Sequence, residues 1–318
     1  MTNVDKKLEK SYKFCRELAT SHYENFTVAS ILIPKSKRNN IYAIYAYCRM
    51  VDDIGDEPSS DFAFLTDLNV ECPWQELSES ERRLALLEYW ESQLTLCYTG
   101  IPTNPVMYAL QDTIRSFEIP ITPFIKLIVA NRLDQNQRRY ETFEDLLNYC
   151  EYSANPVGHI FLSLFGYGDD LRHKYSDFTC TGLQLVNFLQ DIKEDFLKGR
   201  IYIPQEDMSY FGYTEDELDK NIENTNFQRL IEFETGRAHQ YLNQGYKLID
   251  YLDGPIRLDV ALFSRGGAAV LKAIVQSEYK VLMNRPKLSK YDSLRLVLVN
   301  LLKYLVRRDA SSYMKGNV

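Results

Sequence analysis

Apolar residues recur at three- and four-residue spacing along nearly the whole chain, and alternating strand patterns bounded by Asn-Gly or Asp-Gly turns are absent. That spacing gives each segment one apolar stripe, so the chain is committed to helices that bury their stripes against one another. Breaks fall near Pro34, Pro58 to Ser80, Gly100-Ile-Pro102, Pro120 to Pro123, Gly166 to Asp170, Gly199 to Pro204, Gly212, Gly254-Pro255 and Pro286. This punctuation predicts about ten to twelve helices. No linker, low-complexity tract or short repeat interrupts them, so residues 1–318 are expected to form one all-α domain with a large core.

The formal charge of −7, with Lys and Arg scattered, leaves no basic stripe to neutralise a phosphate backbone, which excludes a general nucleic-acid binder. A local pocket for one diphosphate is still open to a few cations and a metal. The six cysteines (Cys15, Cys48, Cys72, Cys97, Cys150, Cys180) include no C-x-x-C pair and read as reduced core thiols. Met-Thr-Asn-Val-Asp-Lys-Lys leads into a charged amphipathic segment and not an apolar signal region, which points to the cytoplasm. No stretch reaches the ~18–20 apolar residues of a membrane span. The nearest, Leu294 to Val306, is broken by Arg295, Asn300 and Lys303, and reads as a core helix with peripheral membrane contact as the lesser alternative.

Two apolar helical segments, Ile41 to Glu57 and Thr181 to Lys198, carry clustered carboxylates. An Asp on an apolar helix face is costly unless it is paired or binds metal. In the first segment Asp52 and Asp56 stand four residues apart, about 40° around a helix, with Arg49 and Tyr45 on the same stripe. In the second, Asn187, Asp191 and Asp195 form an i, i+4, i+8 series flanked by Gln184 and Glu194, and Gly199-Arg-Ile-Tyr-Ile-Pro204 follows as a helix exit. Either cluster alone would pass for an exposed charge run. Two of them suit Mg²⁺, which takes one or two carboxylates together with substrate phosphates. A di-iron bundle would call for paired Glu-x-x-His motifs, and none of His22, His159, His173 or His239 supplies one.

With these residues in view the chain resembles the squalene/phytoene synthase family over nearly its whole length. The first aspartate motif is Asp52 to Asp56 and the second Asn187 to Asp195, and Gln184-Leu-Val-Asn187, Glu194-Asp195 and the Gly199 to Pro204 exit make the match specific. Within the family it looks most like the hopanoid-pathway branch, the hydroxysqualene synthases (HpnC). That likeness rests on His22-Tyr-Glu-Asn-Phe26-Thr-Val-Ala-Ser30, Cys48 to Glu57, Tyr152-Ser-Ala-Asn-Pro-Val-Gly158 and Arg265-Gly-Gly-Ala268. Two departures stand out. Gln190 replaces the Arg that many phytoene and dehydrosqualene synthases place before the second-motif Asp, and Ala154-Asn-Pro-Val-Gly158 replaces Ala-Gly-x-Val-Gly, so that Pro156 should kink that helix and free a carbonyl near the cavity.

The resemblance implies an isoprenoid synthase helical bundle around a central apolar cavity, with Mg²⁺ on Asp52, Asp56, Asn187, Asp191 and Asp195. It implies an isoprenoid diphosphate substrate contacted by His22, Asn25, Phe26, Tyr45, Arg49, Gln184, Gln190, Arg200 and Tyr202, with Lys198 as a further cation. Tyr149 matches a family position given an acid/base role, and Asp52, Asp56, Asp191 and Asp195 carry the chemistry through the metal. His159, beside Val157, Ile160 and Phe161, reads as a packing residue. Partner enzymes of triterpenoid synthesis fit the same resemblance. The expected reaction is conversion of presqualene diphosphate to hydroxysqualene. The alternatives are a condensing squalene, phytoene or dehydrosqualene synthase, and a catalytically dead assembly factor, which should have lost its metal ligands. Squalene formation needs hydride from NADPH, and no G-x-G-x-x-G after a strand is present.

Overall fold

The computed structural model describes residues 3–21, 34–56 and 77–287. The expectations for His22, Asn25, Phe26, Cys72 and the Leu294 to Val306 segment lie outside the described residues. Among the described residues the regular structure is helical, as the periodicity requires, with no strand. The helices are α1 (Asn3–Ser21), α2 (Arg38–Asp56), α3 (Glu79–Thr99), α4 (Pro105–Phe117), α5 (Thr122–Asn136), α6 (Phe143–Ser153), α7 (Asn155–Leu164), α8 (Asp170–Gln190), α9 (Ile192–Leu197), α10 (Gln205–Phe211), α11 (Glu215–Asp219), α12 (Thr225–Gly245) and α13 (Gly254–Gln276). Short 3₁₀ turns precede α2 at Lys35–Lys37 and follow α12 at Tyr246–Tyr251.

Local chemistry sets the boundaries. A capping box between Ser78 and Glu81 starts α3, and the side chains of Asn104, Asp169 and Asn224 accept first-turn N–H bonds at the starts of α4, α8 and α12. Pro156 falls in the first turn of α7, just after the break at Ala154, where its missing N–H costs little. Where a kink within one helix is expected at Pro156, the chain instead has a helix boundary, α6 ending at Ser153 and α7 starting at Asn155. The second acidic segment differs from expectation: it is not one helix, because α8 ends at Gln190 and α9 starts at Ile192, with Asp191 at the joint. The i, i+4, i+8 register survives the joint, since the Asp191 N–H donates to the Asn187 carbonyl at 2.9 Å and the Asp195 N–H to that of Asp191 at 2.8 Å.

Contacts gather the chain into two compact units, Met1–Gln137 with Glu151–Gly168, and Arg138–Cys150 with Asp169–Val318. In the first, the apolar stripe of α2 (Ala43, Ala46, Tyr47, Met50, Val51, Ile54) packs with Leu86, Leu87, Trp90 and Leu94 of α3 and with α4 and α5. Tyr47 anchors this core: its ring stacks 6.1 Å from that of Trp90 and meets Phe124 edge-on at 5.1 Å, and its hydroxyl donates to the Phe124 carbonyl at 2.9 Å. In the second unit α8 and α12 form the central pair, flanked by α13. Of the cysteines expected in the core, Cys15, Cys97 and Cys150 are buried, whereas Cys48 and Cys180 are half-buried. No described helix is long and apolar enough to cross a membrane.

The α8–α12 crossing depends on two glycines. A Cβ at Gly182 would lie 2.9 Å from the Leu242 backbone nitrogen, and one at Gly245 would lie 2.5 Å from that of Thr179. Backbone cannot rotate away as a side chain can, so any larger residue has to force the helices apart. Gly182→Leu and Gly245→Val are each expected to destabilise the protein by about 3 kcal/mol or more, read as a lowered midpoint in urea unfolding.

Candidate active site

In the first unit the stripe of α2 forms as the spacing predicts. Arg49 interacts electrostatically with Asp53, Tyr45 and Asp52, and Asp52 with Asp56. The ion pair of this stripe goes to its neighbour: Arg49 Nη2 meets Asp53 at 2.6 Å, one position beyond Asp52 and on the buried side. Asp52 is therefore left beside Asp56 without a full cation of its own. Its carboxyl is open to water at its surface yet surrounded by protein, and burial followed by the negative charge of Asp56 pushes its pKa up to about 7. Asn131 Nδ2, donating at 3.5 Å, and the charge of Arg49 oppose that rise.

Three residues outside the motif build this end of α2. Asn131 of α5 is the amide beside Asp52, while Arg83 Nη1 of α3 and Gln135 Nε2 of α5 both donate at 3.1 Å to the Gly55 carbonyl, one of the unpaired acceptors that close a helix. Gly55 is glycine for a steric reason, since a Cβ there would stand 2.0 Å from Asn131 Oδ1. Periodicity marks Asn131, Arg83 and Gln135 only as interruptions in otherwise apolar or exposed faces.

In the second unit, Asn187 is exposed and Asp191 and Asp195 are partly buried, one helical turn apart in succession. Asp191 is engaged by Arg285, whose Nε and Nη2 both reach its Oδ1 at 2.6 Å, with Glu194 3.9 Å from the same guanidinium. Burial raises the Asp191 pKa and Arg285 pulls against it. Sequence reasoning missed Arg285, for which the only signal was a cation beside the break at Pro286. Gln190 donates to the Pro286 carbonyl at 2.6 Å, so it holds the segment that carries Arg285. Gln184 is half-buried on α8, one turn before Asn187.

The exit after α9 is pinned against residues 138–141. Gly199 turns the chain with φ +80°, Arg139 Nη1 donates to its carbonyl at 2.7 Å, and the Ile201 N–H donates to the Arg138 carbonyl at 3.0 Å. This holds Arg200 and Tyr202 in buried positions, each 8% exposed. Tyr202 stacks on Phe188 at 4.1 Å, with Tyr149 at 5.6 Å and Tyr140 at 5.7 Å. Tyr149 and Tyr202 are thus brought together by an aromatic cluster. Lys198 is exposed and His159 half-buried.

Among the described residues no three His, Cys, Asp or Glu side chains converge as a ready metal-binding group. The donor chemistry nonetheless fits a hard divalent cation that takes few protein ligands. Asp52 and Asp56 repel one another, which such an ion would relieve, and magnesium draws its remaining ligands from water and phosphate. The site predicts a coupling between Gly55 and Asn131. Gly55→Ala is expected to displace Asn131 and cost about 1–3 kcal/mol, and Gly55→Ala/Asn131→Ala should recover part of that loss. Thermal melts of the two single variants and the double variant measure the coupling.

A model of the squalene/phytoene synthase family matches residues 19–292. The chain is 29% identical over 290 residues to 15-cis-phytoene synthase of Synechococcus elongatus, covering 87% of this chain and 88% of that protein. It superposes on the squalene synthase HpnC of Alicyclobacillus acidocaldarius with a TM-score of 0.76 and 39% identity, over 86% of this chain and 95% of that one. A dehydrosqualene synthase shares the fold at a TM-score of 0.76 and 24% identity, over 99% of this chain and 100% of that one. The chain belongs to the squalene/phytoene synthase family of head-to-head prenyl diphosphate condensing enzymes.

Proposed function

We propose that this protein is a magnesium-dependent synthase that converts presqualene diphosphate to hydroxysqualene, with residues 1–318 working as one catalytic domain. The observation that carries the reading is the state of Gln190: it stands where an Arg would add a diphosphate cation, and its amide is committed to the Pro286 carbonyl. The 39% identity to the HpnC structure supports the same branch. A site with one cation fewer suits a substrate with one diphosphate better than a pair of farnesyl diphosphates. A charge-assisted hydrogen bond contributes about 1.5–3 kcal/mol, and its loss is felt most where two diphosphates crowd together.

In this reading Asp52, Asp56, Asn187, Asp191 and Asp195 would hold the metal. Bound Mg²⁺ supplies Lewis-acid stabilisation of the departing diphosphate. Arg49, Arg200, Lys198 and Arg285 add fixed positive charge to the oxygens of the leaving group, and Tyr45 donates a hydrogen bond to them. The C–O bond to diphosphate breaks with its electron pair, leaving a cyclopropylcarbinyl cation that rearranges. Water then forms the new C–O bond and loses a proton to the diphosphate or solvent, with no hydride donor consumed. The faces of Tyr149, Tyr202 and Phe188 stabilise the cation, and apolar walls keep out stray water. His22, Asn25, Phe26, Gln184 and Gln190 complete the substrate contacts, and partner enzymes of triterpenoid synthesis at a membrane surface belong to the same proposal.

A second reading, condensation of two simple prenyl diphosphates, is favoured by the relationship to phytoene synthase and by Arg285, which brings a cation to Asp191. Incubation with presqualene, farnesyl and geranylgeranyl diphosphates, with and without NADPH, separates the two. Hydroxysqualene from presqualene diphosphate without NADPH is expected, and efficient condensation with little turnover of presqualene diphosphate would move the chain to the second reading. EDTA should abolish diphosphate release and excess Mg²⁺ restore it. Asp52→Asn, Asp56→Asn, Asp191→Asn and Asp195→Asn should each lower turnover on the order of a hundredfold or more, with the thermal melt retained.

A further inference from the structure

Away from the aspartate motifs, the second unit packs three charged side chains where little water reaches. Arg237 of α12 donates through Nη1 to Asp207 of α10 and, at 3.0 Å, to Glu234 one turn earlier on its own helix. Asp207 and Glu234 are 6% and 5% exposed. The guanidinium lies between the rings of Phe143 and Phe233, 4.2 and 4.3 Å from their centres. Two carboxylates and one cation would bury an uncompensated negative charge, an arrangement too costly to persist when a proton can remove it. Burial, opposed by Arg237 and reinforced by Asp207, pushes the Glu234 carboxyl well above the usual carboxylate range. One proton taken up by the two carboxyls makes the cluster neutral.

This cluster grips the exit that carries Tyr202. Asp207 opens α10 directly after the exit, and the N–H groups of Asp207 and Met208 both donate to the Pro204 carbonyl at 3.1 Å. Those of Gln205 and Glu206 donate to the carbonyls of Tyr140 and Glu141 at 2.9 and 3.0 Å. Glu234 also lines a small space of about 10 Å³, shared with Leu185, Phe188, Leu189 and Tyr202. That space holds a single water at most, so Glu234 and the stacked Phe188–Tyr202 pair are near neighbours.

We propose that Asp207, Glu234 and Arg237 are positioning residues, and that the proton shared by the two carboxyls locks the exit and fixes the Tyr202 ring against Phe188. The functional part rests on the reading that Tyr202 contacts the substrate. Ionising Glu234 adds a negative charge beside Asp207 and loosens the clasp. The charged groups facing Glu234 are Asp207 from α10 and Arg237 from α12, while α6, α8 and the exit present Leu146, Leu185, Phe188, Leu189, Tyr202 and Ile203. The 3₁₀ turn after α12 carries Asp250, which pairs with Arg257 at 3.7 Å. From α13 the buried acid is Asp259, which burial pushes up to about 7.

A carboxyl whose folded-state pKa is raised takes up a proton on folding. Its contribution is therefore lost as pH rises from the ordinary carboxylate range of about 4–5 toward the raised value. Asp259 acts in the same direction, so the informative quantity is the difference between wild type and Glu234→Gln, which keeps a donor toward Asp207 and cannot ionise. Thermal melts, near-UV circular dichroism of the aromatic cluster and presqualene diphosphate kinetics of the full chain are compared from about pH 5 to about pH 9. The melting temperature of wild type should fall more steeply than that of Glu234→Gln, its near-UV signal should change where the variant's does not, and its KM should rise several-fold at the alkaline end where the variant's stays level. Glu234→Leu, which removes both proton and hydrogen bond, should show the alkaline KM at every pH. Parallel melting curves for wild type and Glu234→Gln would overturn the shared proton, and divergent melts with an unmoved near-UV signal would overturn the link to Tyr202. Absence of turnover with every prenyl diphosphate would count against the proposed reaction alone, because the melting and dichroism comparisons are read without substrate.

Discussion

Burying a carboxylate among apolar helices is the constraint on which the rest of this protein depends, and the chain meets it in several ways. Asp53 is answered by Arg49 one turn earlier, and Asp191 by Arg285 from far along the sequence. Asp207 and Glu234 share one arginine. Asp259, 1% exposed with neither carboxyl oxygen hydrogen bonded, is met by no cation among the described residues, and burial drives it toward the neutral acid. Asp52 is the exception, because it faces another acid and receives only a long amide contact from Asn131. Removing a partner from a buried charge costs far more than the pair contributes to stability.

Much of this was legible in the sequence, for a physical reason. Helical period fixes which residues share a face, so the α2 stripe of Tyr45, Arg49, Asp52 and Asp56 and the Asn187, Asp191, Asp195 series follow from spacing alone. Glycine and proline fix where helices stop, so the interruption at Pro156 and the break after α9 were also visible. Partners that arrive from elsewhere were not. Arg285 lies 94 residues from Asp191, and Asn131 lies 79 residues from Asp52. Nothing in local pattern chooses between Asp52 and Asp53 as the acid that Arg49 meets, since three and four residues are both neighbours on a helix. The structure chooses Asp53, which lies on the buried side.

Gln190 shows how a departure from a family pattern can be absorbed. The glutamine at position 190 holds the Pro286 carbonyl, and the next residue back, Arg285, carries its guanidinium to Asp191. A neutral side chain thus places a neighbouring cation, which only the two ends of the contact together reveal.

The stacking of Trp90 on Tyr47 has a practical consequence. The chain has two tryptophans, and the one among the described residues, Trp90, lies in the unit formed by Met1–Gln137 with Glu151–Gly168. The described part of the other unit carries its aromatic signal on tyrosine and phenylalanine. Emission from Trp90 therefore reports the unfolding of its own unit, and tyrosine absorbance is needed to follow the other. Denaturation curves from the two chromophores coincide only if both units melt as one cooperative block, so a simple optical comparison can tell whether this chain is thermodynamically one body or two.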